Sequence, residues 1–279
     1  MENDLEKYFE SNELALARAV QKALLAGHAP TCSCGKIVVK NRMTTSIGGD
    51  FYHFRELGQD QVAFAIGDVM GHGMPAALVM SLILGLLQAD RLDNRKPTRV
   101  AESINDMLVQ LGEQVDNPIT CSMIYGVVDL PSGILLYVNA GHPHPILCNR
   151  TYSKPREIAT TTMLLGVEKR MHAESCHQFN KNERMVLYTD GITEAGNGKQ
   201  EQFGEKRLHS LVSDWAEHPP ERLTETLFYD LDRFRQDLPL QDDQTIVVID
   251  FDNVSSEKQK SMDRREEQYP MGMRIPGRA

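Results

Sequence analysis

The sequence has no apolar run long enough to cross a bilayer. Its longest, Ala76 to Leu87, is interrupted by Ser81 and Gly85, whereas a spanning helix needs about 20 apolar residues; the run reads as a buried helix, and no membrane span is expected. A basic excess is lacking too: 30 Lys and Arg stand against 39 Asp and Glu, a formal charge of −9 with no basic stripe. That balance argues against nucleic acid as a partner, because such binding begins by neutralising phosphates. The start, Met1-Glu2-Asn3-Asp4, carries neither the positive region nor the apolar stretch of a secretory signal, so a cytoplasmic location is expected. Cysteine is scarce. Cys32, Cys34, Cys121, Cys148 and Cys176 form an odd, scattered set that suits free thiols in a reducing compartment better than a disulfide framework. Cys32 and Cys34, the one close pair, lack zinc-site spacing and a second pair, and read as structural or incidental.

What remains is an ordinary globular composition, 41% hydrophobic and 25% charged over 279 residues, enough for one large domain with appendages. Leu5, Phe9, Leu16, Val20 and Leu24 recur at helical spacing and predict a helix with one apolar stripe. It ends at Gly27 to Pro30 and either packs on its own domain or pairs with a second chain. From about Lys36 short strand-like runs follow: 36–40, 51–55, 62–67, 122–129, 134–139, 184–188 and 245–251, separated by turns such as Gly48-Gly49, Pro131-Ser132-Gly133 and Asp190-Gly191. Helices are expected over 74–90, apolar nearly all round, over 97–114, amphipathic, and over 205–216 and 221–236. Strands grouped apart from helices give an α+β class, antiparallel sheets covered by helices. The expected organisation is an N-terminal regulatory or dimerisation helix (1–30), a catalytic domain (31–253) and a tail (254–279) whose composition predicts disorder.

Aspartates stand where apolar runs begin or end. Asp50 follows Gly48-Gly49, Asp68 follows Val62 to Gly67, Asp190 follows Met185 to Thr189, and Asp242-Asp243 precede Ile246 to Ile249. Any one alone fits a cap or an Asx-turn. Gathered together they would repel one another unless cations neutralised them, and all-oxygen ligands select hard ions such as Mg²⁺ or Mn²⁺.

Five segments in order carry a family resemblance: Gly48-Gly49-Asp50-Phe51-Tyr52, Gly67 to Leu78, Asn139 to Pro145, Leu187 to Ala195, and Asp242-Asp243-Gln244-Thr245. Together with Leu165-Gly166 and Phe203 to Leu208, they resemble the SpoIIE/RsbU-like branch of the metal-dependent (PPM) protein phosphatases from roughly Gly35 to Phe251. The resemblance implies a four-layer αββα sandwich and a serine/threonine protein phosphatase with two divalent cations, Mn²⁺ or Mg²⁺, sharing an activated water. It assigns Asp68 to bridge the cations, the Val69 carbonyl as a further ligand, Asp190 and Asp242 to the first cation and Asp50 to the second. Asp243 is left open beside Asp242. It also implies a phosphorylated protein substrate, a STAS-domain anti-sigma-factor antagonist in a bacterial partner-switching pathway. The N-terminal helix would then receive a signal through a homodimer or an upstream regulatory protein.

One position departs from the family pattern. His53 stands where the family commonly has a second Asp, which raises the alternative of a catalytically inactive, phosphatase-like module that binds a partner. A small phosphoester substrate is a third reading, without a base-binding or sugar-binding signature to favour it. His72 and His142 lie inside the motifs as either general acids or loop braces, and Gly71 and Gly73 as either a phosphate cradle or a steric necessity of the turn.

Overall fold

The computed structural model describes residues 2–25, 35–44, 47–58, 60–89, 93–150, 154–169 and 174–252, with α1 side chains from 12 onward. The expected tail (254–279), the Cys32 and Cys34 pair and residues 26–30 lie outside the described residues. In chain order the elements are α1 (Glu2–Leu25), β1 (Ile37–Arg42), β2 (Phe51–Glu56), β3 (Gln61–Val69), α2 (Met74–Gln88), α3 (Pro97–Val115), β4 (Cys121–Asp129) and β5 (Ile134–Ala140). They continue with β6 (Ile146–Asn149), β7 (Arg156–Glu157), β8 (Ser175–Gln178), β9 (Glu183–Tyr188), α4 (Asp190–Thr193), α5 (Gly204–Asp214), α6 (Pro220–Arg235) and β10 (Gln244–Phe251).

Two five-stranded sheets form, in the orders β1-β10-β9-β6-β7 and β2-β3-β4-β5-β8, and their strand pairs are antiparallel. Strand residues alternate between faces with period two, and that alternation divides the apolar residues into three seams. Phe64, Ile66, Ile124, Leu187, Val247 and Ile249 fill the space between the sheets. Ala63, Ala65, Met123 and Tyr125 turn outward onto α2 and α3. Val186, Tyr188, Ile246 and Val248 turn outward onto α5 and α6. The result is helix, sheet, sheet, helix, the α+β sandwich expected. Each fully buried aliphatic side chain in these seams contributes about 1.5–3 kcal/mol.

All seven expected strands and all five expected helices are present, with ends shifted by a few residues. The sequence reading missed β6, β7 and β8. β6 is four residues long behind Pro143 and Pro145, β7 is an exposed pair, and β8 is a polar edge strand, Ser-Cys-His-Gln. None has enough alternation to register as a strand by pattern. Helix α2 buries Ala76, Val79, Met80, Ile83, Leu84 and Leu87 but leaves Met74, Leu78 and Leu82 in solvent, so its all-round apolarity is only partly used by this chain. Helix α1 goes further: Leu14, Leu16 and Val20 are exposed, and burial among its described side chains begins at Gln21 and includes Leu25.

Candidate metal centre

The site lies at one end of the sandwich, where the seam between the sheets changes from apolar to polar. Following the inward positions to their ends, Ile66 leads to Asp68, Ile124 to Ser122, Leu187 to Thr189, and Val247 to Thr245 and Asp243. Asp50, just before β2, extends the β2–β3 ladder in which Phe51 pairs with Gly67, and so lies beside Asp68. The strands thus act as rigid anchors that deliver carboxylates to one place.

Asp50 is 1% exposed. Its Oδ2 accepts hydrogen bonds from the Thr189 hydroxyl at 2.8 Å and the Thr245 hydroxyl at 2.6 Å, both from the opposite sheet. Thr189 Oγ1 in turn accepts from the Thr245 amide at 3.0 Å, and Thr245 Oγ1 from the Asn41 side-chain amide at 2.7 Å. This chain of donors ties the two sheets together through one carboxylate. Burial pushes the Asp50 carboxyl well above the usual range; the Thr245 hydrogen bond opposes that, and the charge of Asp243 adds to it.

Asp68 feels the whole cluster. Burial first, and then the charges of Asp50, Asp190, Asp242 and Asp243, push its carboxyl up to about 9. Asp190 is raised by burial and by Glu194, and Asp242 by burial and by Asp190 and Asp243, while exposed His72 at the mouth partly offsets the Asp242 shift. The structure therefore gathers all five aspartates singled out in the sequence.

The adjacent pair Asp242-Asp243 is differentiated by its partners. Asp243 is buried, and its Oδ1 accepts from the Thr44 amide at 2.7 Å while its Oδ2 accepts from the Gly49 amide at 3.0 Å. Asp242 is only half-buried, and its Oδ1 accepts from the Asp243 amide at 2.8 Å. Close approach of these groups explains the glycines. A Cβ on Gly48 would sit 1.7 Å from Oδ2 of Asp243, one on Gly49 2.8 Å from the Val69 carbonyl oxygen, and one on Gly191 2.0 Å from the Asp243 carbonyl oxygen. Gly71 and Gly73 have φ of +98° and +73° with open space around them, so they answer the backbone's steric need.

Helix α1 reaches the same loop. The Gln21 side-chain amide, 3% exposed, donates to the Gly48 carbonyl at 2.7 Å and accepts from the Gly48 amide at 3.2 Å.

His53 does not face the carboxylates. It shares the outward face of β2 with Phe51, which packs toward α2, and burial and Arg55 lower its pKa to about 4. His142 is 2% exposed, and its Nδ1 lies 2.9 Å from the Ser122 hydroxyl. Burial drives its pKa down to about 3, and with its amide bonded to Asn139 Oδ1 it has the placement of a loop brace. Thr189, Thr245, Asn41, Ser122 and Gln21 were not singled out in the sequence. Carrying the inward alternation past the last apolar residue of each strand would have found Thr189, Thr245 and Ser122.

The donor set suits a hard cation: clustered carboxylates, with the Val69 carbonyl near Gly49, and burial that costs free energy unless positive charge is supplied. Among the described residues no three His, Cys, Asp or Glu side chains converge in a metal-holding group; the carboxylates lie at the same end of the sheets and act on one another through their charges.

Comparison with known proteins places the chain in a family and supports the fold. The family described as Stage II sporulation protein E (SpoIIE) matches residues 58–252. The chain is 25% identical over 241 residues to phosphoserine phosphatase RsbU of Bacillus subtilis, covering 85% of this chain and 70% of that protein; it spans 36% and 57% of two further curated relatives. Among solved structures, the SiaA-PP2C domain of Pseudomonas aeruginosa superposes with a TM-score of 0.78 at 21% identity, covering 90% of this chain and 100% of that one. RsbX in complex with magnesium superposes with a TM-score of 0.55 at 14% identity, covering 76% and 92%.

Proposed function

The chain belongs to the SpoIIE family of serine/threonine protein phosphatases, and we propose that it hydrolyses phosphoserine or phosphothreonine on a STAS-domain protein with two divalent cations, Mn²⁺ or Mg²⁺. One observation carries this reading: Asp50, Asp68, Asp190 and Asp242, far apart in sequence, lie at one end of the two sheets, tied there by the strand ladders and by hydrogen bonds through Thr189, Thr245 and Asp243. Asp68, Asp190 and Asp242, with the Val69 carbonyl, are the groups to hold the cations. Bound there, such cations lower the pKa of a water and stabilise in-line attack on phosphorus.

The chain's own residues prepare that site. Thr189 and Thr245 orient Asp50 from the opposite sheet, so that its second oxygen supports the centre directly or through water. Asp243 uses both oxygens to pin the loops of Thr44 and Gly49, and we assign it to loop placement and Asp242 to the cation. The buried seam below excludes water from behind the carboxylates, which strengthens their field toward the mouth. Intact Asp50, Asp68, Asp190 and Asp242 favour turnover over the inactive binding-module reading, for which the His53 departure is the one supporting feature. Helix α1 is the regulatory element in this reading, engaging a second copy or an upstream protein through its exposed side.

The test is hydrolysis of p-nitrophenyl phosphate and of a phosphorylated STAS-domain protein with Mn²⁺, Mg²⁺ or EDTA. Turnover is expected with metal only, and Asp68→Asn is expected to lose at least about a thousandfold. Metal-independent turnover, or full activity in Asp68→Asn, overturns the mechanism. Preference for nucleotides over the phosphoprotein overturns the substrate assignment.

A further inference from the structure

His142 sits where the chain passes from one sheet to the other, between β5, which ends at Ala140, and β6, which begins at Ile146. The crossing is fixed by its own polar contacts: the His142 amide donates to Asn139 Oδ1 at 2.9 Å, and the Gly141 amide donates to the Thr162 carbonyl at 3.0 Å. On one side the ring meets the Ser122 hydroxyl at 2.9 Å. Ser122 is the cross-strand partner of Asp68 in the β3–β4 ladder, so its side chain shares the inward face with that carboxylate. On the other side lies β9. Ile146 pairs with Val186 in antiparallel register, which carries the segment before Ile146 alongside Tyr188 to Asp190. That register sets His142 beside the Tyr188 backbone, and there its Nε2 is buried without a hydrogen-bond partner. An imidazole nitrogen left in this way, 2% exposed, is costly in a site with no structural demand for it.

We propose that His142 is a positioning residue of the metal centre, a spacer between Ser122 on one sheet and the Tyr188 backbone on the other that sets the separation of Asp68 from Asp190. The ring's hydrogen bond is to Ser122 and not to either carboxylate. Its effect passes through the two strands that carry them, as groups behind a metal's ligands commonly tune affinity. The inference rests on the metal-site reading above.

Mn²⁺ binding to the full chain, followed by the electron paramagnetic resonance signal of free Mn²⁺, tests it without any assay of turnover. His142→Ala is expected to raise the Mn²⁺ dissociation constant about tenfold while the metal-free protein still melts cooperatively. Ser122→Ala, which keeps the imidazole, is expected to weaken binding less, and the double variant no more than His142→Ala alone, because both act through one contact. His142→Asn, whose amide falls where Nδ1 meets the Ser122 hydroxyl, is expected to recover part of the loss. Wild-type affinity in a folded His142→Ala overturns the proposal, as do fully additive losses. Should His142→Ala fail to fold, Ser122→Ala decides: unchanged Mn²⁺ affinity there overturns it. A wild-type chain that binds no Mn²⁺ sinks the metal reading itself and this inference with it, whereas wild-type binding with indifferent variants sinks the inference alone.

Discussion

Carboxylates forced together resist ionisation, and at Asp68 that resistance becomes a measurable linkage between protons, metal and stability. Its folded pKa is raised from the ordinary 3.8 to about 9, so the stability it contributes is complete below about 3.8 and is lost as pH rises through about 9. Asp50, Asp190 and Asp242 shift in the same direction. Thermal melts in EDTA should therefore show a falling Tm between about pH 5 and about pH 9, and Mn²⁺ should raise Tm by an amount that grows over that range. A flat profile in EDTA would remove the electrostatic picture. The neighbours Asp242 and Asp243 separate by a different signature. Asp243→Asn puts an amide nitrogen against one of two backbone N–H groups, that of Gly49 buried and that of Thr44 partly so, and should cost about 1–3 kcal/mol in the metal-free protein. Asp242→Asn relieves repulsion instead, and should leave the metal-free Tm unchanged or higher while removing most of its rise with Mn²⁺. The reverse pattern would exchange the two roles. Sequence alone named both residues but could not divide them, because adjacent carboxylates differ only in which backbone amides fold over to meet them.

At the scale of elements, legibility followed periodicity. β3, β9 and β10 announce themselves by apolar runs, and α3 and α6 by a helical stripe, because one buried face leaves a regular trace in sequence. β8 sits at a sheet edge with alternating half-buried and exposed residues and leaves no such trace. The pairing of β1 with β10, opposite ends of the domain joined as Ile37 with Ile249, is a long-range match that no local pattern encodes. The reach of α1 into the site was likewise hidden, since Gln21 lies off the Leu16, Val20 and Leu24 stripe and its importance comes from two bonds to Gly48. Gln21→Ala should release that loop: amide exchange at Gly48, Gly49 and Asp50 should accelerate, and half-saturation by Mn²⁺ should rise about fivefold, the size expected for roughly one net hydrogen bond. Unchanged exchange at Gly48 would show that α1 and the metal loop are mechanically independent.

For the whole molecule, the question is what covers the apolar residues that this chain leaves in water. Most apolar strand residues fall into one of three seams, yet α1 carries Leu16 at 66% and Val20 at 53% exposure. A lone helix in water is stabilised chiefly by packing an apolar face, and here the described part of α1 anchors to the domain by its last turn. Two copies of α1 laid side by side would bury the exposed residues of both at once, in the manner of a short coiled coil. Light scattering on the full chain should then report a dimer, and Leu16→Glu combined with Val20→Glu should give monomers, since four like charges would face one another across the two-fold contact. The metal centre is remote from those positions in sequence, so the monomer should still hold Mn²⁺, with affinity lowered only as far as Gln21 loses its grip on Gly48. A wild-type chain that is already monomeric at micromolar concentration would rule out the homodimer and leave an upstream protein as the occupant of α1.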